Sequence, residues 1–164
     1  MRDKSTSQSY YLDLSWLLML ETDGTESRSD MNWIFAKLKK YSNEHGFKMI
    51  VPMHSLGETV NKILTDHKSE SEKLIKDMIK NLENIGADYP PARFEDMALA
   101  IELSGIEGKL RPTDALILAQ AINDEDAVCL VTADGILVGS NILQQAVIEK
   151  RKDGRNLRIT DTDI

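Results

Sequence analysis

Four acidic residues mark the ends or openings of elements: Asp13 follows the apolar run Tyr10 to Leu12, and Glu58 falls within a helical pattern. Asp114 opens an apolar helix, and Asp134 follows the apolar run Val128 to Val131. Carboxylate oxygens suit hard cations such as Mg²⁺ or Mn²⁺, which keep several waters and accept substrate phosphates as further ligands. Gathered at one place, these acids would make a centre for phosphodiester hydrolysis. Abundance alone carries no weight, because 27 of the 164 residues are Asp or Glu and most must be solvated surface.

Local context carries more. Asp13 interrupts a strongly apolar stretch that resumes at Trp16, and Asp114 precedes a helix that is apolar nearly all round (Ala115, Leu116, Ile117, Leu118, Ala119, Ala121, Ile122). A buried carboxylate costs several kcal/mol unless a partner or a metal compensates. Each acid also has an ordinary structural reading. Asp13 caps the following helix, Asp114 complements a helix dipole, Asp134 with Gly135 makes a turn, and Glu58 is a solvated helix residue.

Other chemistries find little support. His45, His54 and His67 lack a His-Glu-x-x-His arrangement, no cysteine cluster accompanies them, and neither a Gly-x-Gly-x-x-Gly nor a P-loop is present; the histidines read as surface or packing residues. A net charge of −7 argues against binding nucleic acid by charge alone, so such a ligand would need bound cations and a local basic patch. The basic stretch Lys150, Arg151, Lys152, Arg155 and Arg158 reads as the completion of a helix C-terminus before Gly154.

The elements that must position the acids follow from periodicity. Tyr10 to Leu12 is a strand leading into a short buried helix at 16–20, so Asp13 falls at the strand's carboxyl end. A helix capped near Asp30 ends at Gly46, and Phe47 to Val51 is a second strand closed by Pro52. A helix over 53–66 carries Met53, Leu56, Val60, Ile63 and Leu64 on one stripe, with Glu58 roughly 170° from its centre. Further helices over 69–85, 93–103, 113–122 and 141–150, and strands over 128–131 and 157–160, complete an alternating βα pattern. With 41% hydrophobic residues, residues 1–164 form one domain, a three-layer α/β/α sandwich around a mostly parallel sheet. Ligands bind such sheets at the strands' carboxyl rim, which Asp13 and Asp134 should share.

No apolar stretch approaches the ~20 residues of a membrane span, and the short apolar run after Arg2 and Lys4 lacks a small-residue cleavage site. The one cysteine, Cys129, reads as a buried strand residue. A soluble protein of the reducing cytoplasm is expected.

At these residues the chain resembles the PIN-domain nucleases, the family of VapC-like toxins and related RNA-cutting enzymes. The match rests on Asp13-Leu14-Ser15, on Val51-Pro52 leading to Ser55 and Glu58, on Thr113-Asp114-Ala115-Leu116-Ile117, and on Leu130-Val131-Thr132-Ala133-Asp134, which come in the family's order. Ser15 fits the less common form of the first motif. The resemblance implies an endoribonuclease, a Mg²⁺- or Mn²⁺-dependent hydrolase. Asp13, Glu58, Asp114 and Asp134 would be its metal ligands and catalytic acids, with Ser15 and Thr132 as hydroxyl supports. It implies single-stranded RNA as substrate, reached by Arg93, Lys109 and Arg111 near the rim. It also implies a homodimer and, for a toxin of a toxin–antitoxin pair, a small antitoxin that covers the cleft.

Two rival readings remain beside it. One is a PIN-like domain that no longer cuts and serves as an RNA- or protein-binding module. The other is a Mg²⁺-dependent phosphatase with an aspartyl nucleophile on the first strand; that chemistry expects a second acid two residues on, where Ser15 stands.

Overall fold

Strand β1 (Ser9–Leu12) is buried along its whole length, and its side chains divide between two hydrophobic clusters: Tyr10 and Leu12 join one, Tyr11 the other. Strand pleating sends successive side chains to opposite faces. The same division runs through β2 (Lys48–Ile50), where Met49 and Ile50 part, and through β3 (Ala127–Val131), where Cys129 and Val131 part from Leu130. A computed structural model describes residues 7–14, 29–151 and 154–161 of the chain. In it these strands and β4 (Arg158–Thr160) form one parallel sheet in the order β2-β1-β3-β4.

Parallel neighbours require crossovers, and here helices supply them on both faces. Helices α1 (Ser29–His45), α2 (Met53–Asp66) and α3 (Ser71–Ile85) bury Phe35, Leu38, Ile63, Leu74, Met78, Leu82 and Ile85 with Tyr10 and Leu12. Helices α4 (Phe94–Ile106), α5 (Pro112–Asn123), α6 (Gly135–Gly139) and α7 (Asn141–Lys150) pack around Tyr11 and Leu130 on the other face. The expected three-layer α/β/α sandwich is therefore present, with its sheet wholly parallel among the described residues. None of the helices among these residues is long and apolar enough to cross a membrane.

Helix α5 is the most deeply buried, as its composition predicts: Ala115, Ile117, Leu118, Ala119, Gln120, Ala121 and Ile122 are all buried. Its far end is tied down by Arg151, which is itself buried. The guanidinium donates to the carbonyls of Ala121 (3.1 Å), Asp124 (2.9 Å), Ala127 (2.8 Å) and Arg155 (3.3 Å). The basic stretch thus does cap a helix C-terminus, but that of α5 and not of the helix it follows.

Three local expectations need correction. Helix α2 packs Leu56, Val60 and Ile63 against the core as expected, but it also buries Ser55 and Thr59, while Met53 and Leu64 stand about half exposed. Its hydroxyls can go inside because each is satisfied: Thr59 donates to Ser55 O (2.8 Å), and Ser55 Oγ accepts from Leu14 N–H (3.3 Å). The helix is thereby rotated, and Glu58, one turn on from Ser55, flanks the buried face instead of opposing it. The segment after Asp134, for which a turn was the ordinary structural reading, is a short helix. The helix expected from 69 begins with a single 3₁₀ turn, Lys68–Glu70. Ser15, the expected short helix at 16–20 and the polar segment 21–28 lie outside the described residues.

Candidate functional site

The chain passes from β1 to β2 on one side and later returns to β3 on the other, so a crevice opens between the carboxyl ends of β1 and β3. Asp13 stands there as the first residue beyond β1, its N–H still bonded to Val131 O (2.9 Å). The Asp13 carboxylate accepts a hydrogen bond from the Thr132 hydroxyl (2.8 Å), and Thr132 Oγ1 accepts from the Asp134 N–H (3.1 Å). One fully buried hydroxyl therefore ties together the two strand ends that carry acids.

Asp134 is the N-cap of α6. Its Oδ1 accepts from the N–H groups of Ile136 and Leu137, both at 3.0 Å, which satisfies two orphan donors of the helix start. The signal was in the sequence: Asp before the apolar run Ile136-Leu137-Val138 reads as a cap as readily as a turn.

Asp114 enters from the opposite layer, in the first turn of α5 with Pro112 at the helix start. Its side chain is only 7% exposed and is gripped by Arg111, whose Nε donates to Oδ2 (2.7 Å) and Nη2 to Oδ1 (3.4 Å). The same Nη2 lies 3.8 Å from Asp134 Oδ2, an ion pair too long for a hydrogen bond. Burial pushes the Asp114 carboxyl up from its ordinary value of 3.8 to about 6. The Arg111 contact opposes that rise, and the charges of Asp134 and Asp13 add to it. The Arg111 guanidinium is held above its ordinary pKa by the hydrogen bond to Asp114, with further contributions from Asp134 and Glu58. All four acids thus act on one small region whose centre is an arginine.

That arginine bears on whether the residues suit a metal. The donors are all carboxylate oxygens, which is the chemistry of a hard cation. Their placement falls short: among the described residues, no three acid, histidine or cysteine side chains stand together as a metal-holding group. One oxygen of Asp134 is committed to α6, and a guanidinium grips Asp114 and faces the other. In this conformation the site fits a cation by chemistry and not by position.

The remaining sequence candidates divide. Lys109 is exposed on the loop two residues before Arg111. Arg93 is placed elsewhere: it pairs with Glu95 (2.9 Å) and Asp96 (3.5 Å) at the start of α4, and Asp96 is bound by Asn123 (2.8 Å). Asn123 lies about 13 Å of helix rise beyond Asp114 on α5. His54, in the first turn of α2, has both ring nitrogens shut off from solvent; burial lowers its pKa, and Glu58 opposes that shift. Arg111 lies at the rim, where it was expected, and its pairing with Asp114 is the feature that the sequence reading missed. Its position three residues before an acid at a helix start was the available signal.

Ser55 was noted only as part of a motif, yet it positions the cleft by accepting the N–H of Leu14, the residue after Asp13. Ser55→Ala is expected to lower stability by about 1–2 kcal/mol by leaving that buried donor without its acceptor. Urea melts of the two proteins measure this, and coincident midpoints would remove the contact from the account.

No protein-family model, no curated protein and no solved structure matches this chain, so the reading of the cleft rests on its own residues.

Proposed function

We propose that the crevice between β1 and β3 is the active site of a Mg²⁺- or Mn²⁺-dependent endoribonuclease of the PIN type, cutting single-stranded RNA. The observation that carries this reading is that Thr132 links Asp13 to Asp134 and Arg111 links Asp134 to Asp114, so that acids from three separate elements face one end of a parallel sheet, the carboxyl end where such sheets bind ligands. Asp114 supports the reading, since burial raises its pKa despite the opposing Arg111 contact, a pattern frequent at functional sites.

A divalent cation held by Asp13, Asp114 and Asp134 would supply the activation of a water and the stabilisation of charge on the departing oxygen. The chain's own residues set the stage. Thr132 fixes the Asp13 carboxylate, the α6 cap fixes Asp134, and the burial of α5 keeps Asp114 from turning to solvent. Glu58 adds negative charge from the margin of α2, and Ser15 is assigned a supporting hydroxyl on the resemblance alone. Lys109 and Arg111 flank the cleft as cationic contacts for the RNA backbone, which a chain of net charge −7 needs locally. Arg93 would contact RNA only beyond the cleft. The resemblance extends the proposal to a cytoplasmic toxin that pairs as a homodimer and is held by a small antitoxin; the buried thiol of Cys129 suits that reducing compartment.

A second reading, a PIN-like module that binds RNA or protein without cutting, is favoured by one feature: Arg111 already neutralises acids that a metal would otherwise neutralise. Labelled single-stranded RNA incubated with the protein in Mn²⁺, Mg²⁺ or EDTA separates the two. Cleavage in the metals, none in EDTA and none by Asp13→Asn is the expected result. No cleavage by the wild type in either metal would favour the binding module, and equal cleavage by Asp13→Asn would identify a contaminating nuclease.

A further inference from the structure

We propose that the hollow between Pro90, Pro91 and the far end of α5 is a binding site for a small organic cation that carries N–H donors, an alkylammonium group. It is separate from the cleft: Asn123, which lines it, stands about 13 Å of helix rise beyond Asp114.

The hollow has a volume of about 370 Å³, within the range of small-molecule sites, and its most buried liners are polar. Asp96 is 1% exposed and Gln120 is 4% exposed. Strand β1 contributes Tyr11, whose hydroxyl faces Asp124, and the last turn of α5 delivers Gln120 and Asn123. Both amides spend their donors inside the protein: Gln120 Nε2 donates to Pro91 O (3.2 Å), and Asn123 Nδ2 donates to Asp96 Oδ1 (2.8 Å). Those two bonds fix which end of each amide is the nitrogen, so what each has left to offer is an acceptor. Gln120 Oε1 is buried and has no hydrogen-bond partner. A buried acceptor without a donor is rare and unfavourable, and it marks a place where a donor belongs.

Charge points the same way. The loop after α5 adds Asp124 and Glu125 to the lining, and neither carboxylate forms an ion pair among the described residues. Arg151 and Arg155 reach this loop through the backbone carbonyls of Asp124 and Glu125 and not through their side chains. Arg93, the cation in the lining, is already paired with Glu95 and Asp96. Donors that are spent and acceptors that remain select a ligand rich in donors and positively charged, whereas an anion would face two acids. A neighbouring hollow shares Tyr11, Pro90 and Asp124 and adds Asp88 and Asp126 against Lys48, so a second ammonium on a short chain would also meet acids.

Titration of ¹⁵N-labelled protein with diaminobutane tests the site. The side-chain amide signals of Gln120 and Asn123 are expected to move together and saturate, with a Kd of about 1 mM or below. Tetramethylammonium, which has the charge and no N–H, should move neither. Asp124→Asn, which can still accept from Asp126 N–H but lacks the charge, should weaken binding about tenfold. N-acetyl-lysine amide separates two sources of the same group: tighter binding of the diamine assigns the site to a free amine, and tighter binding of the blocked lysine assigns it to a basic side chain of a partner. Equal shifts from tetramethylammonium and the diamine would reduce the effect to surface charge and overturn the site. Wild-type amide signals unmoved by diaminobutane on the order of 100 mM would also overturn it, a result that depends on no variant folding and leaves Gln120 Oε1 to a water molecule.

Discussion

Asp114→Asn is expected to melt higher than the wild type near pH 7.5 in EDTA and, on the proposed nuclease reading, to cleave RNA in Mn²⁺ at least about 100-fold more slowly. Both results come from the same carboxylate. The folded protein holds the Asp114 proton more tightly than the unfolded chain, with a pKa raised from 3.8 to about 6. Its contribution to stability is therefore full below about pH 4 and is lost as pH rises through 6. At neutral pH the ionised group costs the fold at most about 3 kcal/mol, net of the attraction of Arg111. Asparagine keeps the shape and removes the ionisation, so a gain of several degrees is expected. The advantage should shrink by about half on going to pH 5, because the wild type has by then regained much of the proton. An Asp114→Asn protein less stable than the wild type at neutral pH would show that the pair with Arg111 outweighs the burial of the acid. The loss of cleavage has a separate cause, the removal of a charge from the centre of the cleft. A variant that is more stable and inactive is the signature of an acid retained for chemistry at the expense of the fold.

The parts of this site that were legible in the sequence are those set by backbone periodicity. Asp13 and Asp134 end runs of apolar residues buried on both faces, and such runs identify central parallel strands whose carboxyl ends share a rim. Asp114 was legible because α5 is too apolar to lie anywhere but against the sheet. Helix α2 is legible only in part, for a definite reason: Leu56, Val60 and Ile63 do pack on the core, but the stripe is off-centre. A stripe drawn through Met53, Leu56, Val60, Ile63 and Leu64 assumes that hydroxyls face water, whereas Ser55 and Thr59 are buried with internal partners. That pairing joins residues 14 and 55, and no local pattern encodes it. The hold of Arg111 on Asp114 was hidden for a similar reason: an arginine near an acidic rim serves a phosphate or a carboxylate equally well, and only the folded position of Asp114 reveals the contact.

Arg151→Ala is expected to cost about 3–5 kcal/mol, lowering the melting temperature by about 10 °C or more. The guanidinium is 5% exposed and donates to four carbonyls at the end of α5, in the loop before β3, at the first residue of β3 and beyond α7. Truncation leaves those oxygens buried without donors and opens a void, and water cannot refill the site as well as a planar fork with five donors. Arg151→Lys should recover only part of the loss, because one ammonium cannot span acceptors spread along two elements. A cost below about 1 kcal/mol for Arg151→Ala would mean that the loop closes over the gap. The consequence for the cleft follows from rigidity. Arg151 fixes one end of α5 against the start of β3; Asp114 stands at the other end of α5, and Thr132 and Asp134 follow the other end of β3. Two rigid elements pinned at one end keep their other ends in register. On the proposed reading of the cleft, the alanine protein, assayed well below its melting temperature, should therefore lose cleavage activity relative to the wild type, although Arg151 lies at the opposite end of α5 from the cleft acids.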